Sequence, residues 1–124
     1  MLQLNHANLP VRDVPALRDF FVRHFGFRVT TTRPSDDFVV MQGEGGFRLN
    51  LIRAHPGDTG YPRDFHVGFL VGSPEIVRAK HAELVAAGIR AGEVEELARG
   101  GESSVTFYCH APNGILLEVG CVIR

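Results

Sequence analysis

The chain repeats itself, and that repeat limits its fold more than any other feature. His6 and His66 stand 60 residues apart, as do the helix-capping residues Asp13 and Ser73. The helix-ending glycines Gly26 and Gly88 are 62 apart, and the turn glycines Gly46 and Gly114 are 68 apart. Between these landmarks each half runs strand, capped helix, then three strands, so the order β-α-β-β-β occurs twice. Asp13 and Ser73 are both good N-caps, each followed closely by a proline that a first helical turn tolerates. The halves span residues 1–54 and 64–124. Residues 55–63, with Pro56, Gly57, Gly60 and Pro62, join them as a linker. At 124 residues the chain is one domain by size. An α+β fold follows, with each helix covering one face of its own sheet. Closing the half-sheets together, helices outward, predicts a cupped mixed sheet around a cleft.

The last strand shows what that cleft would contain. From Asn113-Gly114 onward, Ile115, Leu117, Val119 and Cys121 point one way, and Leu116, Glu118 and Gly120 the other. Glu118 is thus a lone carboxylate opposite an apolar face. The offset of 68 aligns it with Asn50 of the first half. His6 and His66 are the matching polar exceptions on the first strand of each half. Two imidazoles and a carboxylate suit a divalent transition metal, and leave coordination positions open for substrate. The expected ligands are His6, His66 and Glu118, holding one ion of Mn, Fe, Ni or Zn per site. Arg48 is available for a substrate anion and Asn50 for substrate or metal-bound water. Hairpin parity, taking Gly43–Gly46 and Ala111–Gly114 as four-residue turns, puts Val39 and Met41 on Asn50's face. The same parity puts Phe107 and Cys109 on Glu118's face, so these four are the expected pocket walls.

A formal charge of −1 gives no electrostatic case for nucleic acid or an anionic membrane. No apolar run approaches the ~20 residues of a membrane span. Cys109 and Cys121 fall far apart on one hairpin, which predicts two reduced thiols and a cytoplasmic protein. Another turn is expected over Pro34-Ser35-Asp36-Asp37.

Three stretches resemble the vicinal oxygen chelate superfamily, which includes glyoxalase I, bleomycin resistance proteins and extradiol dioxygenases. They are Leu4–Leu9 with Phe25-Gly26-Phe27, Asp64–Phe69, and Phe107–Val119. The last is similar to the family's aspartate-proline-(Asp/Asn)-glycine-(Asn)-leucine-glutamate signature, with Ala111 and Ile115 as departures in the turn. The resemblance implies paired βαβββ modules in a homodimer. It also implies sites shared between subunits, so that His6 of one chain meets His66 and Glu118 of the other. It implies a metal-dependent glyoxalase-like enzyme, of lyase, isomerase, thiol transferase or dioxygenase type, acting on a small substrate with vicinal oxygens. Glyoxalase I usually adds a fourth ligand where Asn50 stands, and a neutral amide there favours a three-ligand site. No separate general base stands out. Glu118 is then the candidate catalytic carboxylate, dissociating from the metal as in some four-ligand relatives. The alternative is a metal-free protein that binds an antibiotic or other small molecule, as bleomycin resistance proteins do.

Overall fold

The computed structural model describes residues 1–32 and 36–123, and the turn expected at Pro34-Ser35 lies outside them. The chain divides into two compact units, Met1–Gly60 and Tyr61–Arg124. Each is a βαβββ module.

In the first unit the order is β1 (His6–Val11), α1 (Val14–Phe25), β2 (Arg28–Thr32), β3 (Phe38–Gln42) and β4 (Arg48–Arg53). The sheet order is β1-β4-β3-β2, with β1 parallel to β4 and the other pairs antiparallel. Asp13 starts α1 by accepting the Ala16 N–H at 3.1 Å. Gly26 ends it at φ 67°, a left-handed conformation that costs glycine nothing. Val14, Leu17, Phe20 and Phe21 of α1 are buried, together with Leu9, Val11, Val39, Met41, Leu49 and Leu51 from the strands. Phe21 sits edge-on to Phe20 and Phe27, at ring-centroid distances of 6.0 and 5.3 Å.

The second unit repeats the plan with β5 (His66–Leu70), α2 (Pro74–Ala86), β6 (Glu95–Arg99), β7 (Glu102–Ala111) and β8 (Ile115–Ile123). Its sheet order is β5-β8-β7-β6, again with the first and last strands parallel. Ser73 caps α2 through the Ile76 N–H. The apolar residues of this helix differ in burial. Val77 and Leu84 are fully buried, whereas Ile76 and Val85 are about half exposed. Ahead of β6, which begins at Glu95, Ala91 makes a single bridge to Cys109. The core side of the sheet comes from Val105, Phe107, Cys109 and Ala111 of β7 and Ile115, Leu117, Val119 and Cys121 of β8. Both cysteines are free thiols.

Both expected hairpin parities are wrong by one residue. In the second unit only Pro112, Asn113 and Gly114 lie between the paired residues Ala111 and Ile115. Asn113 and Gly114 both take left-handed φ, 68° and 72°, which closes the turn one residue tighter. Phe107 therefore pairs with Val119, and Cys109 with Leu117. In the first unit Gln42 pairs with Arg48, and Gly43 bonds Phe47, so the turn proper is Glu44–Gly46. Val39 then pairs with Leu51, and Met41 with Leu49. A slip of one residue moves a whole strand's side chains to the other face. Val39, Met41, Phe107 and Cys109 are accordingly core residues and do not share a face with Asn50 or Glu118.

Candidate functional site

The open face of the second sheet gathers the chemistry of that unit. Glu118, at the centre of β8, lies between Gly68 of β5 and Tyr108 of β7 in register. His66 is two residues before Gly68 on the same strand face. Its Nε2 lies 3.8 Å from Glu118 Oε1. The ring's other nitrogen, Nδ1, is 3.0 Å from the Asp64 carbonyl oxygen. A carbonyl only accepts, so Nδ1 carries a proton, and in the neutral ring Nε2 then presents its lone pair. Tyr108 meets the His66 ring edge-on at 5.5 Å and fixes its plane. Glu118 Oε2 accepts from the Thr106 hydroxyl at 3.1 Å. One nitrogen and one carboxylate oxygen are thus held elsewhere, while the other two face the same space.

A cavity of about 300 Å³ adjoins Glu118. Gly68, Leu70, Ser104, Thr106, Glu118 and Gly120 line it, all from the open face. The volume is at the small end of ligand pockets. Thr106 and Tyr108 were missed in the sequence because the parity slip put Phe107 and Cys109 in their place. A three-residue count for the Pro112-Asn113-Gly114 turn would have found Thr106 and Tyr108.

The open face of the first sheet carries His6, Arg48 and Asn50. His6 pairs in register with Arg48, and Asn8 with Asn50. His6 Nδ1 is 2.7 Å from the Asn5 amide oxygen, which leaves Nε2 free, as in His66. Asn50 Oδ1 is buried with no hydrogen-bond partner among the described residues. Arg48 is exposed. Sequence reasoning therefore placed His66 with Glu118, and His6 with Arg48 and Asn50, on the correct faces. Cys109, on the core side, has its thiol pushed up to about 11 by burial. It is a packing residue, not an ionised nucleophile.

The glyoxalase/bleomycin resistance protein/dioxygenase superfamily model matches residues 3–119. The chain belongs to that superfamily. A solved structure described as a possible glyoxalase from Bacillus cereus is 35% identical. It aligns over 98% of this chain and 100% of its own, with a TM-score of 0.84. A superfamily domain from Frankia sp. EAN1pec aligns over 98% of each chain at 20% identity and a TM-score of 0.80. A lactoylglutathione lyase from Agrobacterium tumefaciens covers 98% of this chain and 94% of its own, at 21% identity and a TM-score of 0.75. The last two establish likeness of fold. No curated protein matches the chain significantly.

The resemblance noted in the sequence implies a divalent metal. Among the described residues, no three His, Cys, Asp or Glu side chains form a metal-holding group. The His66–Glu118 pair nonetheless fits one. Its 3.8 Å separation is below roughly twice a ~2.1 Å ligand bond, so one ion can touch both atoms. The carbonyl held on His66 Nδ1 is the outer partner that metal-bound imidazoles usually have. No helix among the described residues is long and apolar enough to cross a membrane.

Proposed function

We propose that this chain is a metal-dependent glyoxalase-like enzyme acting on a small substrate through two neighbouring oxygens. The observation that supports it most is the pair His66 Nε2 and Glu118 Oε1, 3.8 Å apart, each on a side chain whose other polar atom is already bonded. His6 has its Nδ1 held in the same way and supplies the third ligand, contributed by the second subunit of a homodimer. A bound Mn, Fe, Ni or Zn ion would act as a Lewis acid toward the adjacent oxygens of the substrate.

The chain's own residues do the rest. The cavity beside Glu118 admits a small molecule and presents Leu70 and Val122 to its apolar part. The Ser104 hydroxyl offers it a hydrogen bond. Arg48 and Asn50 lie on the same sheet face as His6 and come with it from the second subunit, where Arg48 pairs with a substrate anion. The unpartnered Asn50 Oδ1 accepts from a substrate hydroxyl or a water. Glu118 is the carboxylate available to move a proton at the substrate. The two buried free thiols fit a reducing compartment such as the cytoplasm.

Metal analysis of protein purified without chelator tests the reading. About one equivalent per site supports it. Less than roughly 0.2 equivalents, unrestored by Mn, Ni, Zn or Fe, overturns it and leaves metal-free binding of a small molecule. Turnover with hemithioacetals, with fosfomycin plus a thiol, and with catechols then separates the reaction types.

A further inference from the structure

Thr106 is the one buried polar side chain among the described residues, with 4% of its surface exposed. Its hydroxyl lies 3.1 Å from Glu118 Oε2 and 3.0 Å from the Val119 carbonyl oxygen. Both are acceptors when Glu118 is ionised, and the hydroxyl has a single proton. That one proton is shared between the two acceptors as a three-centre hydrogen bond, which holds Oε2 beside the strand backbone. Room for this comes from Gly120, the register partner of Thr106. A Cβ on residue 120 would lie 3.2 Å from Thr106 Oγ1 and 3.5 Å from Thr106 Cβ.

The first unit lacks this device. Asn50 corresponds to Glu118, and two residues further along Ile52 corresponds to Gly120. The register partner of Ile52 is Phe38, where the second unit has Thr106. Neither side chain can donate to Asn50, and Asn50 Oδ1 has no hydrogen-bond partner among the described residues. The same fold position thus holds a carboxylate oxygen bonded to a hydroxyl in one copy and an amide oxygen with no hydrogen-bond partner among the described residues in the other.

We propose that Thr106, in the space left by Gly120, is the positioning residue that clamps Glu118 Oε2 and so makes Glu118 a one-oxygen ligand through Oε1. This rests on the metal reading for its functional meaning, but the clamp is a property of the metal-free chain as well. Removing the hydroxyl frees both oxygens to rotate and weakens the preorganised ligand pair.

The probe is Co²⁺ alone, titrated into the full chain and followed by its visible absorption. Thr106→Val keeps the shape and removes the hydroxyl, and Thr106→Ser keeps the hydroxyl. The expected Co²⁺ dissociation constant is about 10–100-fold weaker for Thr106→Val and within about 3-fold of the parent for Thr106→Ser. Gly120→Ala, which crowds the hydroxyl, should resemble Thr106→Val. Unchanged affinity in Thr106→Val overturns the clamp, and so does an equal loss in Val and Ser variants, which would mark a packing role. A double-mutant cycle of Thr106→Val with Glu118→Ala, read as melting temperature without metal, decides the matter independently. Non-additive shifts support the clamp, and additive shifts overturn it. If the parent binds no Co²⁺, the metal reading fails, and the metal-free cycle still decides for or against the clamp.

Discussion

His66 and Glu118 stand on adjacent parallel strands, offset by two residues in register, yet their side chains converge to 3.8 Å. The residue directly beside Glu118 is Gly68, whose missing side chain leaves the line between them open. A Cβ there would lie 3.5 Å from Glu118 Oε1. The convergence therefore depends on a gap as much as on the two polar groups.

Filling that gap separates stability from ligand binding. Gly68 is in a strand, and a β-branched residue is favoured there over glycine. A Cβ at 3.5 Å is an ordinary contact, but the two γ-carbons of valine reach further toward the carboxylate. Gly68→Val is expected to raise the melting temperature slightly or leave it unchanged, while weakening metal binding about tenfold or more. Calorimetric titration and circular dichroism on one preparation would check both.

His66→Ala makes the converse test. The side chain is 39% exposed, so its loss opens no core cavity. Its metal-free melting temperature should stay within a few degrees of the parent. Bound metal should fall below roughly 0.2 equivalents, since removing a ligand costs more than removing an outer partner. Parental stoichiometry by elemental analysis would count against His66 as a ligand.

The face assignment of β7 is tested through Phe107. It is 1% exposed and meets the His81 ring edge-on at 5.0 Å. As a pocket wall it would cost binding when truncated. As a core residue, Phe107→Ala should lower unfolding free energy by about 3–5 kcal/mol, measured in urea.

Much of this architecture was legible in the sequence, and the errors share one cause. Caps, helix-ending glycines and turn glycines lie at matching offsets, so the βαβββ order and the faces of His6, Asn50, His66 and Glu118 follow from local rules. Parity across a hairpin does not. It depends on whether three or four residues form the turn, and Asn113-Gly114 and Gly45-Gly46 accommodate either count. That one-residue uncertainty exchanged Thr106 and Tyr108 for Phe107 and Cys109. It also hid the contrast between Thr106–Gly120 and Phe38–Ile52, which requires pairing register to be known.

Cys109 gives a pH-dependent signature. Burial raises its thiol from an ordinary value of 9.0 to about 11. Between those values the unfolded chain loses this proton while the folded chain keeps it. Stability therefore falls as pH rises from about 9 to 11, and Cys109 has no effect below that window. Cys109→Ala should lose this part of the slope when denaturation midpoints at pH 8 and pH 10.5 are compared. At pH 8 the folded parent should also react with a thiol reagent far more slowly than the unfolded chain.

Asn50 offers the last test, because its two roles make opposite demands. Its Oδ1 is buried without a hydrogen-bond partner among the described residues. An unmet buried acceptor costs about 1–3 kcal/mol relative to a satisfied one, and an apolar group of similar shape avoids that cost. Leucine is close to asparagine in outline and suits a position flanked by Val40 on β3. Asn50→Leu should therefore be neutral or stabilise by up to about 1 kcal/mol. If Asn50 meets a substrate hydroxyl or a water in the working site, the same variant should lose about tenfold or more in kcat/KM on whichever substrate the turnover screens identify. A rise in stability with full activity would make Asn50 a structural residue only. A clear loss of stability would mean that the acceptor is satisfied in solution, most simply by a bound water.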